Sequence, residues 1–373
     1  MAHYDILVVG GGIAGSVAAR FAAQNGFETL LIEKLKTPRN KPCSGIQFSY
    51  FEKLVGTKIP PARLCENALS KVEIITPKGK VIRGKMKMLN FWRSTFDSWL
   101  NSLAVEAGAT FCDQTQLVDF HEDGDIIRAQ VRSKDGEDEV TTRYLIAADG
   151  LRSQIRKKLR PQDFAPGKAG AAVNFYFVGD ADLDPDTLYM FYNREFAPLM
   201  FAWVYLKDDQ WVIGTGAPTQ PLKYAEQFFN FVKAKYNLRG EIKRREGFSS
   251  PMRSEIFLGR ENILLAGDAA GLIDLYRGVG MDNAALSARL AIKAIVKSEK
   301  QGTPPFKFYK EFMRRMALKV VKNASKQAAR YATDNSLCKS LSRLNVIKSG
   351  LQMLIAAQLN KILPPDKIIT LPL

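Results

Sequence analysis

The sequence predicts an α/β protein. A Rossmann-type domain built on a parallel sheet is interleaved with a mostly antiparallel β-sheet domain, and a helical C-terminal tail follows. Three observations carry this. An apolar run, a glycine loop and an alanine-rich stretch open the chain as strand, turn and helix. Aromatic and β-branched runs punctuated by turn residues fill residues 170–216. A second apolar strand, NILLAGD (262–268), leads through small residues into a long helix.

YDILVVG (4–10) reads as the first strand. IAGSVAARFAAQNG (13–26) reads as a helix stopped by Gly26, and ETLLIE (28–33) as the second strand. Residues 91–109 predict a helix with Phe96, Leu100, Leu103 and Ala107 on one face. Apolar or alternating runs follow at 116–120, 126–132 and 140–147, the last ending in AADG. AAVNFYFVG, TLYMFYN, MFAWVYLK and QWVIGTGA then read as strands. A helix is expected over 222–236, another from about 279 to 298, and basic helices through 304–360, whose most apolar part is GLQMLIAAQLNKIL. This order assigns 1–70, 93–160 and 255–300 to the nucleotide domain and 71–92 and 165–250 to the second, substrate-binding sheet. Residues 301–373 form the basic helical segment.

A chain of 373 residues with 46% hydrophobic and 25% charged content has the make-up of a folded protein large enough for two coupled cores. No run reaches the roughly 18 apolar residues of a spanning helix, and nothing at the start reads as a signal peptide. Cys43, Cys65, Cys112 and Cys338 are far apart, and the only histidines are His3 and His121, which excludes a zinc motif and a disulfide framework. A cytoplasmic protein is the expectation, peripheral on the inner face of a membrane if its charge serves lipid. The net charge of +16 is concentrated between 293 and 348, where 14 lysines and arginines stand against Glu299, Glu311 and Asp334. Such a segment is a solvated face or a contact for an anionic surface. No nucleic-acid motif accompanies it, so nucleic acid is not an expected partner.

Gly10, Gly12 and Gly15 occupy the three slots of GxGxxG directly between strand and helix, the context the motif requires. The first glycine makes the turn, the second admits a pyrophosphate and the third packs helix on strand. The helix start offers free N–H groups to the phosphates. Glu33, 18 residues past Gly15, ends the second strand, where a carboxylate accepts a ribose diol and repels a 2′-phosphate. The site therefore suits FAD or NAD rather than NADP. A second strand–turn–helix, with Asp268 at the strand end and Gly278-Val279-Gly280 before the helix, favours FAD, since NAD needs only one such half.

GxGxxG with Glu33, YLIAADGLRSQIR (144–156) and GDAAG (267–271), in this order, resemble the flavoprotein superfamily of para-hydroxybenzoate hydroxylase. Within it, KPCSG (41–45) is similar to the cysteine–glycine loop of the geranylgeranyl reductase family. RSTFDSWL (93–100) matches that family's arginine-plus-FD helix, and FAWVYLK (201–207) its tryptophan-plus-FPK strand. The resemblance covers roughly 4–295. It implies that Ala14, Glu33, Ser44, Gly45, Arg93, Asp268, Gly280 and Met281 contact FAD, that the backbone near Leu117 meets the adenine, and that Asp149-Gly150 links the two domains. The chain departs from the family pattern in reading CSG for CGG and Tyr205-Leu206-Lys207 for Phe-Pro-Lys. Asp274-Leu275-Tyr276-Arg277 stands where a proline is usual.

Trp203 and Tyr205 share one strand face with Phe201 beside them, and with Tyr276 they are the candidate substrate residues. Phe175, Phe177, Phe191 and Met190 extend the apolar supply for a hydrocarbon, or for an ordinary core. Cys43 is either a proton donor at the flavin's reactive face, its pKa lowered by Arg39 and Lys41, or a small residue filling a tight loop. The resemblance implies an FAD-dependent oxidoreductase that reduces C=C bonds of an isoprenoid chain on a lipid by hydride transfer from flavin N5. NAD(P)H, ferredoxin or another small donor would supply the electrons. A monooxygenase or halogenase of the same fold is the alternative, and a non-enzymatic basic binding protein a remoter one. The tail and its apolar segment are expected to meet an anionic membrane.

Overall fold

A computed structural model of the chain describes residues 2–164, 169–251, 255–278 and 280–370. In chain order, β1 (Ala2–Val9), α1 (Ile13–Gln24), β2 (Thr29–Ile32), β3 (Ile46–Gln47) and α2 (Phe51–Val55) open the fold. β4 (Lys71–Ile75), β5 (Val81–Lys85), β6 (Leu89–Asn90) and α3 (Arg93–Glu106) follow. Next come β7 (Thr110–Cys112), β8 (Gln116–Asp123), β9 (Ile126–Ser133), β10 (Gly136–Ala147) and α4 (Gln154–Leu159). β11 (Ala169–Asp180), β12 (Thr187–Phe191), β13 (Ala202–Lys207), β14 (Gln210–Ala217), α5 (Pro221–Lys235) and β15 (Arg239–Pro251) come after them. β16 (Gly259–Arg260), β17 (Ile263–Leu265), α6 (Met281–Gln301), α7 (Pro305–Arg330), α8 (Asp334–Ser340) and α9 (Arg343–Ile362) complete it.

The first sheet runs β16-β17-β10-β1-β2-β7, with the hairpin β8–β9 attached through β9 to β10. β1 is parallel to β2 and to β10, and β17 is parallel to β10. These strands are buried on both faces, which is why ILVV and TLLI are continuous apolar runs rather than alternating ones. Parallel alignment delivers Gly10, Glu33, Ala148 and Ala266 to one edge of the sheet, where open α/β sheets bind ligands.

The second sheet runs β15-β11-β14-β13-β12-β4-β5 and is antiparallel except for β12 beside β4. Its two faces feed different cores. Met190, Tyr205 and Phe201 join the large cluster shared with the first sheet, whereas Phe175, Phe177 and Phe191 pack beneath α5. Of the two readings open for those three phenylalanines, hydrocarbon lining or ordinary core, the second holds: period-two alternation sends them to the face under α5. β15 escapes sequence reading because RGEIKRREGF is too charged to resemble a strand. It is an edge strand held to β11 by backbone pairing, and its charges keep the edge solvated.

The tail is bound to the rest of the fold. Lys53 Nζ donates to the carbonyls of Asn360, Lys361 and Leu363 at 2.8, 2.6 and 3.2 Å, a cation on the C-terminal end of α9. Arg277 donates to the carbonyl of Thr370 at 2.8 Å. Among the described residues no helix is long and apolar enough to cross a membrane, and no group of side chains is arranged to hold a metal.

Candidate functional site

Gly12 stands at the N-cap of α1 with no side chain to cap it, so the first N–H groups of the helix face the glycine turn without a side-chain cap. A Cβ on Gly15 would lie 1.8 Å from the Gly10 carbonyl oxygen, so only glycine lets α1 sit this close to the end of β1. Above the turn, Arg39 pairs with Glu33 at 2.9 Å and with Asp97 at 3.4 Å, and Arg93 pairs with Asp97 at 2.7 Å. Buried Arg93 and half-buried Arg39 thus overhang the place where a pyrophosphate would meet the helix start, a geometry suited to phosphate oxygens. Glu33 also accepts from the N–H groups of Gly11 and Leu35, at 3.0 Å each. Its carboxylate stands at the strand end where a ribose is expected, with Arg39 already sharing it.

One open cleft collects most of the sequence-predicted cofactor residues: Gly12, Ala14, Ser44, Arg93, Asp268, Gly280 and Met281, together with Cys43. Gly10 and Gly15 are outside its lining and act through the α1 packing just described. Gly45 holds the turn after Cys43 in the left-handed region (φ +60°), and a Cβ there would lie 1.9 Å from the Phe91 carbonyl oxygen. Gly280 stands at the N-cap of α6, again without a side-chain cap, so a second helix N-terminus opens on the cleft. Val279 of that glycine turn lies outside the described residues. Leu117 sits apart, at the start of β8 against α4, where it is buried.

The surroundings of Cys43 differ from expectation. Lys41 turns to Asp268 at 3.2 Å and Arg39 to Glu33, so neither of the two cations named in the sequence is engaged with the thiol. The cation beside it is Arg93. Burial alone would lower the pKa of this guanidinium, but Asp97 and Cys43 outweigh that and raise it. Met281 Sδ lies 3.7 Å from Cys43 Sγ on the other side. All four cysteines are free.

The candidate substrate residues lie behind the cleft rather than in its lining. Tyr205 is wholly buried, Trp203 donates to Asn174 at 2.9 Å, and Phe201 packs edge-on to Trp203 at 6.2 Å. The apolar side chains that the second sheet and its loops bring to the cleft are Met200 and Phe248, which the sequence did not single out. Tyr276 stacks under Arg330, 4.0 Å from its ring centroid.

Sequence reasoning named Lys207 only as the last residue of the strand motif and gave no sign that it is the site's most unusual charge. Lys207 is 1% exposed on β13, on the same face as Trp203 and Tyr205. It donates to the Phe91 carbonyl and lies 4.8 Å from the Trp92 ring. No carboxylate pairs with it among the described residues, and burial lowers its pKa to about 8 against the opposing pull of Cys65, Cys43 and Asp208. Nearby, Tyr50 donates to the buried Asp282 at the start of α6, and burial raises that carboxyl to about 6.

Two uncapped helix starts, a glycine cradle, an acid at the β2 end and overhanging arginines define a flavin dinucleotide site of the doubly wound kind. The residues present fit FAD. The chain matches the family described as "FAD binding domain" over residues 83–324 and belongs to it; residues 4–157 also match the pyridine nucleotide-disulphide oxidoreductase family. It is similar to digeranylgeranylglycerophospholipid reductase 2 of Methanothermobacter thermautotrophicus, 29% identical over 347 residues, covering 86% of this chain and 85% of the relative. It is 28% identical over 310 residues to geranylgeranyl diphosphate reductase of Rhodobacter capsulatus, covering 81% and 77%. The solved structure of a geranylgeranyl bacteriochlorophyll reductase-like protein from Thermoplasma acidophilum shares the fold at a TM-score of 0.81 with 24% identity over 92% of each chain. The protein is an FAD-dependent oxidoreductase with geranylgeranyl reductase homologues.

Proposed function

We propose that this oxidoreductase saturates carbon–carbon double bonds in the isoprenoid chain of a lipid or prenyl ester. The observation that carries the reading is the meeting, in one cleft, of the glycine cradle, the Cys43-Ser44-Gly45 loop and the apolar Met200 and Phe248. Bound FAD supplies the hydride chemistry. The chain's own residues supply position and a proton. An isolated alkene is a poor electrophile, so holding it in contact geometry contributes much of the acceleration. Apolar walls exclude water from the reacting carbons, so a proton reaches them only from a positioned donor. Cys43, held between Arg93 and Met281, is the thiol available in the lining to protonate the second alkene carbon. Incubating photoreduced holoprotein with geranylgeranyl diphosphate without oxygen should add two hydrogens per reduced bond. Gain of an oxygen atom in air instead would favour the hydroxylase reading.

A membrane surface is the proposed setting. Leu344, Ile347, Leu351, Leu354, Ile355, Leu359 and Ile362 are all exposed on α9, and at 100° per residue they fall within one stripe. Met353, Ala356 and Ala357 on the far side pack against the protein, so the helix is apolar on two faces and one of them is uncovered. Exposed Lys361 borders the stripe and exposed Lys348 falls within it, both complementary to anionic headgroups. Flotation with phosphatidylglycerol vesicles should recover the protein, phosphatidylcholine vesicles should recover less, and the double substitution Leu351→Glu, Leu354→Glu should abolish recovery. Equal flotation of that variant would refute the assignment.

A further inference from the structure

Among the described residues no carboxylate pairs with the buried ammonium of Lys207, and the protein carries that burial at a cost to its stability. A side chain that breaks a packing rule without an evident gain to the fold marks a functional site. Its partners show what it holds. Three successive residues at the end of β13 grip three successive residues between β6 and α3. The Leu206 carbonyl accepts from Asn90 Nδ2 at 3.0 Å, Lys207 Nζ donates to the Phe91 carbonyl, and the Asp208 carboxylate accepts from the Trp92 indole N–H at 2.6 Å. Lys207 Nζ also lies 4.8 Å from the Trp92 ring. Asn67 reinforces the grip, donating to the Leu206 carbonyl at 2.8 Å and accepting from the Asp208 N–H at 3.0 Å. The second sheet is in this way fastened to the chain that leads into Arg93.

The same stretch is fastened to the cysteine loop. The Phe91 N–H donates to the Gly45 carbonyl at 2.9 Å, and Ile46 pairs with Asn90 across β3 and β6. Lys207 sits against this crossing: a Cβ on Gly45 would lie 3.0 Å from its Nζ as well as 1.9 Å from the Phe91 oxygen. Cys43 stands two residues before Gly45, and Arg93 two residues after Phe91. Both side chains line the cofactor cleft, and the thiol acts directly on the guanidinium. Each is carried on a short arm from one crossing point. Phe91 and Lys207 are both closed off from solvent, so water does not compete for the Phe91 carbonyl, and the bond from the ammonium is correspondingly strong.

We propose that Lys207 is a positioning residue: it clamps the Gly45–Phe91 crossing to β13 and thereby holds the Cys43 thiol beside Arg93 and in register with the second sheet. This rests on the isoprenoid-reductase reading above, in which Cys43 gives its proton to the second alkene carbon, and adds what keeps the thiol aimed at that carbon. Lys207 itself lies outside the cleft lining. A loosened clamp leaves substrate binding intact and misplaces the donor, so its loss falls on kcat rather than on KM.

The test is a double-mutant cycle in the FAD-loaded protein. It takes kcat and KM for geranylgeranyl diphosphate in the wild type, Lys207→Met, Cys43→Ala and the pair. Lys207→Met should lower kcat about tenfold or more and leave KM within about twofold, as expected for a donor displaced by part of an ångström. In the Cys43→Ala background the same substitution should change kcat by less than about twofold. Trp92→Phe, which deletes only the neighbouring bond to Asp208, should lower kcat about threefold and carries the test if Lys207→Met does not fold. Hydrogen exchange needs no substrate: amides of 43–47 and 89–93 should exchange several-fold faster in Lys207→Met, while its urea midpoint does not fall. An equal loss of kcat in both backgrounds overturns the proposal, as does unchanged exchange in those two segments or a lowered midpoint that assigns the loss to the fold. If the wild type reduces no isoprenoid, the functional reading fails, and exchange still decides whether Lys207 holds the crossing.

Discussion

Replacing Lys207 with methionine should remove a pH dependence of stability that the wild type owes to this one side chain. Lys207 is buried, unpaired by any carboxylate among the described residues, and titrates at about 8 instead of its ordinary 10.5. Between those values the unfolded chain binds more protons at this position than the native one, so native stability rises with pH across the window. The penalty is present in full below pH 8 and fades as pH climbs toward 10.5. A depression of this size corresponds to about 3 kcal/mol at neutral pH, of which about 2 kcal/mol should be relieved between pH 7 and 9.5. Methionine keeps an unbranched stem of similar volume and has nothing to titrate. The measurement is urea unfolding at fixed FAD concentration, followed by tryptophan fluorescence, for both proteins at several pH values. Other ionisable groups are common to both, so the difference between the two curves isolates Lys207. Parallel curves from pH 7 to 9.5 would refute the reasoning and mean that the ammonium is better solvated, or better paired, than its surroundings indicate.

Three further outcomes follow from the site. Gly15→Ala should yield protein that purifies without flavin absorbance, because its methyl group must displace the Gly10 carbonyl; overpacking of about 1–3 kcal/mol at the cradle would weaken FAD up to about a hundredfold. Glu33→Gln keeps the shape but loses the charge that holds Arg39, and fluorescence titration should find FAD bound about tenfold more weakly. Asp282, raised to about 6 from 3.8, contributes stability that is present in full below pH 3.8 and lost as pH rises through 6. Asp282→Asn should therefore gain on the wild type by up to about 3 kcal/mol from pH 4 to pH 7 in the same unfolding assay.

Local rules determined much of this protein. GxGxxG between a strand and a helix, an acid at the end of β2 and a second strand–glycine–helix at 262–281 are short-range patterns, each obeying backbone geometry within a few residues. They were enough to give the doubly wound sheet and the cofactor class. Alternation along FAWVYLK likewise placed Trp203 and Tyr205 on one face. Only tertiary structure decided what that face meets. The cation beside Cys43 proved to be Arg93, 50 positions away, while the lysine and arginine adjacent in sequence are drawn to Asp268 and Glu33 by longer-range pairing. β15 exists because β11 offers it an edge, not because its residues favour a strand. The same holds for Lys207, unremarkable in a string of letters and unusual only once two sheets close over it. Burial and charge pairing depend on which distant segments converge, and periodicity carries no record of that convergence.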